Sequence, residues 1–293
     1  MLSYLQAVIL GLLQGITELF PISSLGHTVI FPALFGWHGV VQAQSAKESF
    51  YLAFLVGMHV ATALALLIYF RDQWYRIIRG FFVTLRTRRI ETADERLAWL
   101  LIVASIPAGL VGLVFEHVFR TVFAKPLAAA AFLMVNGLIL FSGDAARRRA
   151  EARQPAGAPG AARAAARRLD SLDFRESGVI GVAQVFALFA GISRSGITMV
   201  AGLFRGLDYE DAARFSFLLA TPIILAAGIY KLPDLLGHNG DGVRSQILVG
   251  SVVAGVAAYL AVRFLMRYFE TNKLWPFAVY CLLFGGAMVI RFH

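Results

Sequence analysis

The chain interrupts an apolar stretch with a short polar break, and it does so twice, 170 residues apart. The first copy is GLLQGITELFPISSLGHTVIFPALFG, residues 11–36, and the second is GVAQVFALFAGISRSGITMVAGLFRG, residues 181–206. Gly11/Gly181, Gln14/Gln184, Ile22/Ile192, Ser23/Ser193, Gly26/Gly196, Thr28/Thr198 and Gly36/Gly206 coincide without a gap. In the first copy Gln14, Thr17, Glu18, Ser23, Ser24 and His27 crowd around the helix-breaking Pro21. Irregular backbone and ionisable groups survive inside a bilayer only where protein or a water-lined cavity covers them. A plain anchor needs neither, so the fold must bring both breaks into its own interior.

Composition puts these breaks in a membrane. Only 15% of the 293 residues are charged and 58% are hydrophobic, against about 25% charged in a soluble domain. A spanning helix needs about 20 apolar residues. Runs of that kind are expected at 50–70, 97–117, 126–141, 212–231, 246–266 and 274–291. The segments 5–36 and 178–206 are each too short on either side of the break to cross twice, and read as re-entrant pairs. Residues 142–176, rich in Ala, Arg, Pro and Gly, are expected to form a flexible loop between two halves, 1–141 and 177–293. Residues 1–13 lack a basic leader, so the first helix is expected to stay in the mature protein. The fold class is thus an all-α polytopic membrane protein with six spans and two re-entrant pairs.

Arginine counts orient it. Arg71, Arg76, Arg79, Arg86, Arg88, Arg89 and Arg96 lie in 71–96, and eight more lie in 142–176. Both segments fall on one side of the membrane, cytoplasmic by the positive-inside rule. The net charge of +9 therefore reports topology and lipid contact, and a nucleic-acid partner is not expected. Three spans per half is an odd number, so the second half is expected to be inverted. Both termini then lie outside, and the broken pairs enter from opposite faces to meet near the midplane, with a site between them. Cys281 alone excludes an intramolecular disulfide and a cysteine-rich metal site.

Each break ends where a helix begins, and free backbone N–H groups with a positive dipole end favour anions. Arg194 adds a guanidinium suited to phosphate. Glu18, one helical turn after Gln14, is a candidate metal ligand or general base, or else a cap paired with Arg194. Ser24 and His27 offer a hydroxyl and an imidazole three residues apart. At the aligned positions Glu18 faces Leu188, Ser24 faces Arg194 and His27 faces Ile197. The scaffold is symmetric and the chemistry is not, a pattern that suits phosphoryl chemistry better than a symmetric conduit. His59 is a mid-span histidine that needs a polar partner; Asn136, Glu116 and His117 read as structural or interfacial.

These residues resemble the undecaprenyl-diphosphatases, also called bacitracin-resistance proteins. The matching motifs are Gln14-Gly15-Ile16-Thr17-Glu18, Pro21-Ile22-Ser23-Ser24-Leu25-Gly26-His27 and Ala190-Gly191-Ile192-Ser193-Arg194-Ser195-Gly196-Ile197-Thr198. The stretches 57–71 and 215–222 also fit, so the resemblance covers nearly the whole chain. Two positions depart from the usual pattern: Ala190 stands for a proline, and Gln14 is the less acidic of two family options. The resemblance implies hydrolysis of a C55 polyprenyl diphosphate to the monophosphate and inorganic phosphate. That recycles the lipid carrier of peptidoglycan synthesis, at a site open to the outer face of the bacterial inner membrane. It implies a catalytic set of Glu18, Ser24, His27 and Arg194, with Ser23, Gly26, Ser193, Ser195, Gly196 and Thr198 binding substrate. Gln14 and Glu18 would hold a divalent cation, Mg or Ca. Whether Ser24 or water attacks phosphorus stays open, as does self-association. The rival reading is a flippase for polyprenyl phosphate or another anionic lipid, because alternating access uses the same architecture.

Overall fold

A computed structural model describes residues 2–45, 50–118, 125–152, 167–231 and 242–293. Among them are twelve α-helices: α1 Tyr4–Thr17, α2 Ser24–Leu34, α3 His38–Ser45, α4 Phe50–Tyr69, α5 Arg71–Thr87, α6 Ala93–Val118, α7 Pro126–Ala152, α8 Phe174–Val185, α9 Arg194–Phe204, α10 Tyr209–Tyr230, α11 Arg244–Tyr268 and α12 Trp275–Phe292. Six of them, α4, α6, α7, α10, α11 and α12, are long and apolar enough to cross a bilayer. They fall on the six expected runs. Helices α1 and α2 have 14 and 11 residues. At 1.5 Å per residue neither reaches across an apolar core of about 30 Å.

The echo in sequence is an echo in local structure. Helices α1 and α8 both begin with a capping box, Ser3 with Gln6 and Asp173 with Glu176, positions again 170 apart. Helices α2 and α9 start and stop at matching positions, and each is followed by a glycine of positive φ, Gly36 at 67° and Gly206 at 89°. Only glycine takes that conformation without strain, which is why both helices end there. In the first pair α1 packs on α11, and in the second α8 packs on α6. The approach is close because the contact residues are small. A Cβ on Gly11 would meet the Gly250 backbone, and one on Gly181 would lie 2.8 Å from Ala104 Cα. Small residues let helix backbones touch where lipid offers no hydrophobic drive to association.

Two arginine-rich segments differ from expectation. Residues 71–96 are not one loop, since α5 occupies most of the segment. It packs Ile77, Gly80 and Thr84 against α6 and exposes Tyr75, Ile78 and Phe82, flanked by arginines. Nor does the third span end at 141: α7 runs on to Ala152, because Ala and Arg are strong helix formers whatever their hydropathy. The extension is packed, with Asp144 Oδ1 accepting from Tyr209 Oη at 2.8 Å and from Leu274 N at 3.1 Å. Of the expected loop, residues 153–166 lie outside the described residues, as do 119–124 and 232–241. Its far end, 167–173, is folded against α8 to α10. Arg167 donates to Glu176 Oε2 at 3.0 Å and to the Arg205 carbonyl at 3.1 Å.

Candidate active site

The two breaks meet. Ser23 Oγ caps α2 by accepting from Gly26 N at 3.2 Å, and it also accepts from Gly191 N of the other break at 3.1 Å. Gly26 lies so close that a Cβ there would stand 2.9 Å from Gly191 Cα. Asn136, on α7, completes the seam: its Nδ2 donates to the Pro21 carbonyl at 2.9 Å and its Oδ1 accepts from Ser193 N at 2.9 Å. Ser193 Oγ caps α9 through Gly196 N at 3.1 Å. The hydroxyls of Ser193 and Ser195 lie 3.0 Å apart and both reach the Phe20 carbonyl, at 3.5 and 3.2 Å. Thr198 Oγ1 is 2.7 Å from both the Arg194 carbonyl and Ser216 Oγ. These hydroxyls satisfy backbone groups that an interrupted helix leaves open, where no water could do so.

Glu18 follows α1 directly and is the centre of the polar group that results. Its carboxylate is buried between the two halves. Arg194 Nη2, at the first position of α9, donates to Oε1 at 3.0 Å. Ser24 Oγ, at the first position of α2, donates to Oε2, as does Gln14 Nε2 at 2.9 Å. Arg194 also reaches the Ser216 carbonyl on α10 at 3.4 Å through Nη1. His59 of α4 joins from the side, its Nε2 3.5 Å from Glu18 Oε2 and 3.2 Å from Gln14 Nε2. The Leu55 carbonyl, 2.8 Å from His59 Nδ1, can only accept, so Nδ1 carries a proton and Nε2 is the ring nitrogen that faces the site. A buried ion pair repays its desolvation only with such additional hydrogen bonds.

His27 is placed differently from Ser24. Its Nδ1 meets the Ser23 carbonyl at 2.7 Å and its Nε2 meets Tyr280 Oη of α12 at 2.8 Å. No hydrogen bond or ion pair among the described residues joins it to Glu18, Ser24 or Arg194. The structure thus gathers Gln14, Glu18, Ser24 and Arg194, adds His59, and sets Ser23, Gly26, Ser193, Ser195, Gly196 and Thr198 in the seam behind them. Ser23 sits there at φ 68°, a region that costs a side-chain-bearing residue about 1–3 kcal/mol. Asn136, Ser216 and Tyr280 are members that sequence reasoning did not assign. Asn136 gave a signal, a carboxamide in an apolar span; Tyr280 gave none.

For a cation, no group of three or more His, Cys, Asp or Glu gathers among the described residues. One oxygen is nevertheless free: Gln14 Oε1 is buried without a hydrogen-bond partner beside the Glu18 carboxylate. A carboxylate offers about four acceptor sites, and Ser24, Gln14 and Arg194 take three.

Comparison with known proteins shows the family. Residues 7–287 match the model of the family described as "Bacitracin resistance protein BacA". The chain belongs to that family. Among its relatives, the chain is 55% identical to "Undecaprenyl-diphosphatase 2" of Frankia alni, covering 99% of this chain and 98% of that one. It is 56% identical to "Undecaprenyl-diphosphatase" of Mycolicibacterium paratuberculosis, over 99% and 97% of the two chains. "Undecaprenyl-diphosphatase 1" of Burkholderia pseudomallei is 46% identical over 95% and 93%.

Proposed function

We propose that this multi-pass membrane protein is a phosphatase that hydrolyses undecaprenyl diphosphate to undecaprenyl phosphate and inorganic phosphate. The observation that carries the reading is the Glu18 carboxylate, which holds the Ser24 hydroxyl on one oxygen and the Arg194 guanidinium on the other, across the junction of two helix starts. A hydroxyl bonded to a buried base is the arrangement of an activated nucleophile. A fork of N–H donors beside two helix N-termini stabilises the charge of a transferring phosphoryl group. Names of relatives at 46–56% identity over nearly their full length point to the same substrate.

In the mechanism we favour, Ser24 Oγ attacks the terminal phosphorus while Glu18 takes the hydroxyl proton. The P–O bond to the lipid phosphate breaks, and undecaprenyl phosphate leaves with its electron pair. Glu18 returns its proton to the departing phosphate. Water then attacks the phosphoseryl group and gives a proton to Glu18. The P–Oγ bond breaks, Ser24 Oγ recovers that proton from Glu18, and inorganic phosphate is released. Arg194 faces the charge throughout, and His59 Nε2 stands beside Glu18. Gln14 Oε1 and Glu18 would hold a divalent cation, which needs few protein ligands when phosphate oxygens supply the rest. Bound there, it would neutralise diphosphate charge. Chelation should then stop turnover, and Mg or Ca should restore it.

The orientation we propose places both termini and the site opening at the outer face of the inner membrane. Purified protein should release phosphate from the C55 diphosphate, and Arg194→Ala should lower kcat by at least about 100-fold, the usual effect of removing an oxyanion donor. Single turnover with a terminally labelled substrate should leave label on Ser24. Full activity in Arg194→Ala would sink the site, and unlabelled Ser24 with normal turnover would transfer the attack to water. No hydrolysis with lipid translocation intact would favour a transporter.

A further inference from the structure

Tyr280 lies on α12, 253 residues from His27, and the mechanism above does not use it. Its ring stacks on the imidazole at 5.7 Å and 10°, and Phe284 stacks on both within 14°. Its hydroxyl meets His27 Nε2 at 2.8 Å, while Nδ1 of the same ring meets the Ser23 carbonyl at 2.7 Å. A carbonyl only accepts, so Nδ1 must carry the proton. A neutral imidazole then has a lone pair on Nε2, and the Tyr280 hydroxyl donates to it. The Ser23 carbonyl thus fixes the tautomer, and the Tyr280 hydroxyl completes it by pairing the second ring nitrogen and holding the imidazole in place. In the other tautomer a lone pair on Nδ1 would face the carbonyl oxygen.

What hangs from that carbonyl is the strained link. Ser23 is one of two non-glycine residues of positive φ among those described. Its conformation sets where Ser24 begins α2, and Ser24 meets Glu18 from that position. Such a conformation persists only where its surroundings over-determine it. Here Ser23 is held through Oγ by Gly26 N and Gly191 N, and through its carbonyl by the His27 ring and the His27 amide. We propose that Tyr280 is a positioning residue for the reaction: through His27 it holds the Ser23 backbone that aims the Ser24 hydroxyl at Glu18. Its catalytic consequence rests on the phosphatase reading.

Tyr280→Phe keeps the stacked ring and removes only the donor. It should lower kcat by about tenfold or more, as small misplacements of a reacting group do, with KM changed less than about twofold and the melting temperature lowered no further than one unpaired buried nitrogen accounts for. In a His27→Asn background the same change should cost nothing further, because two residues acting in series are non-additive. Histidine 15N spectra, with the His27 signals assigned from His27→Asn, should show the Nδ1–H tautomer in both proteins and an Nε2 signal shifted in Tyr280→Phe by loss of its donor. Undiminished kcat in Tyr280→Phe, additive losses, or an unchanged Nε2 signal would each overturn the proposal. A wild type that releases no phosphate would remove the phosphatase reading instead, and the 15N signals would still decide the relay.

Discussion

Asn136 satisfies two backbone groups that belong to different halves of the molecule, the Pro21 carbonyl and the Ser193 amide. Asn136→Leu keeps the volume and strands both. Each orphaned buried group costs about 1–3 kcal/mol, against about 0.6 kcal/mol for an average interhelical hydrogen bond in a membrane. The variant should therefore lose about 2 kcal/mol or more in a detergent unfolding titration. A loss near 0.6 kcal/mol would mean that the seam re-pairs without it. At this scale legibility followed cost. Glu18, Ser24 and Arg194 could be read from the sequence because a charge inside a bilayer requires a partner, and the neighbouring Ser/Gly breaks supplied candidates. The partners of Asn136 and Tyr280 lie 115 and 253 residues away, and nothing local announces them. His27 shows the converse. Its proximity in sequence suggested a place beside Ser24, but its two ring nitrogens are taken by the Ser23 carbonyl and by Tyr280 of α12.

Helix packing around the breaks depends on missing side chains rather than large ones. Gly181→Ala would set a Cβ 2.8 Å from Ala104 Cα, whereas a Cβ on Gly109 or Gly286 meets nothing within 4 Å. The first change should destabilise by about 1–3 kcal/mol through overpacking. The other two should be neutral or gain about 0.5–1 kcal/mol from lower helix entropy cost. Melting temperatures of the three variants test the contrast, and equal shifts would remove the close contact from the account. A second element-scale device is the clasp of Arg167 on Glu176 at the start of α8. The Arg167 hydrogen bond, aided by the Asp173 amide, holds the Glu176 carboxyl below its ordinary value near 4.5. A lowered folded-state pKa stabilises the fold above the unfolded value, and that contribution is lost as pH falls through the folded value. Arg167→Gln should therefore melt earlier than wild type at pH 7, and the gap should close below about pH 4.5 as Glu176 becomes protonated in both. A gap independent of pH would assign the clasp to packing. This clasp, like α5 and the last turns of α7, escaped the sequence because hydropathy finds spans, and neither the arginine-punctuated α5 nor the Ala/Arg-rich end of α7 registers as one.

For the whole molecule the repeat is the strongest constraint. Capping boxes at Ser3 and Asp173, helix starts at Ser24 and Arg194, and positive-φ glycines at Gly36 and Gly206 all keep the 170-residue offset. A plan duplicated so closely, with three spans after each broken pair, carries our proposal that the halves lie in opposite orientations, since an odd number of crossings would change sides. Convergence of the two breaks on one buried carboxylate is what that inversion would produce. The orientation has a direct check, because the native cysteine, Cys281, is fully buried and leaves a silent background for labelling. Gly39→Cys, in the exposed part of α3, should react with a membrane-impermeant maleimide on intact cells. Arg89→Cys and Asn272→Cys, in exposed turns after α5 and α11, should react only after permeabilisation. Labelling of all three from outside would break the six-span count. The reverse pattern would turn the molecule over and put its site on the cytoplasmic side.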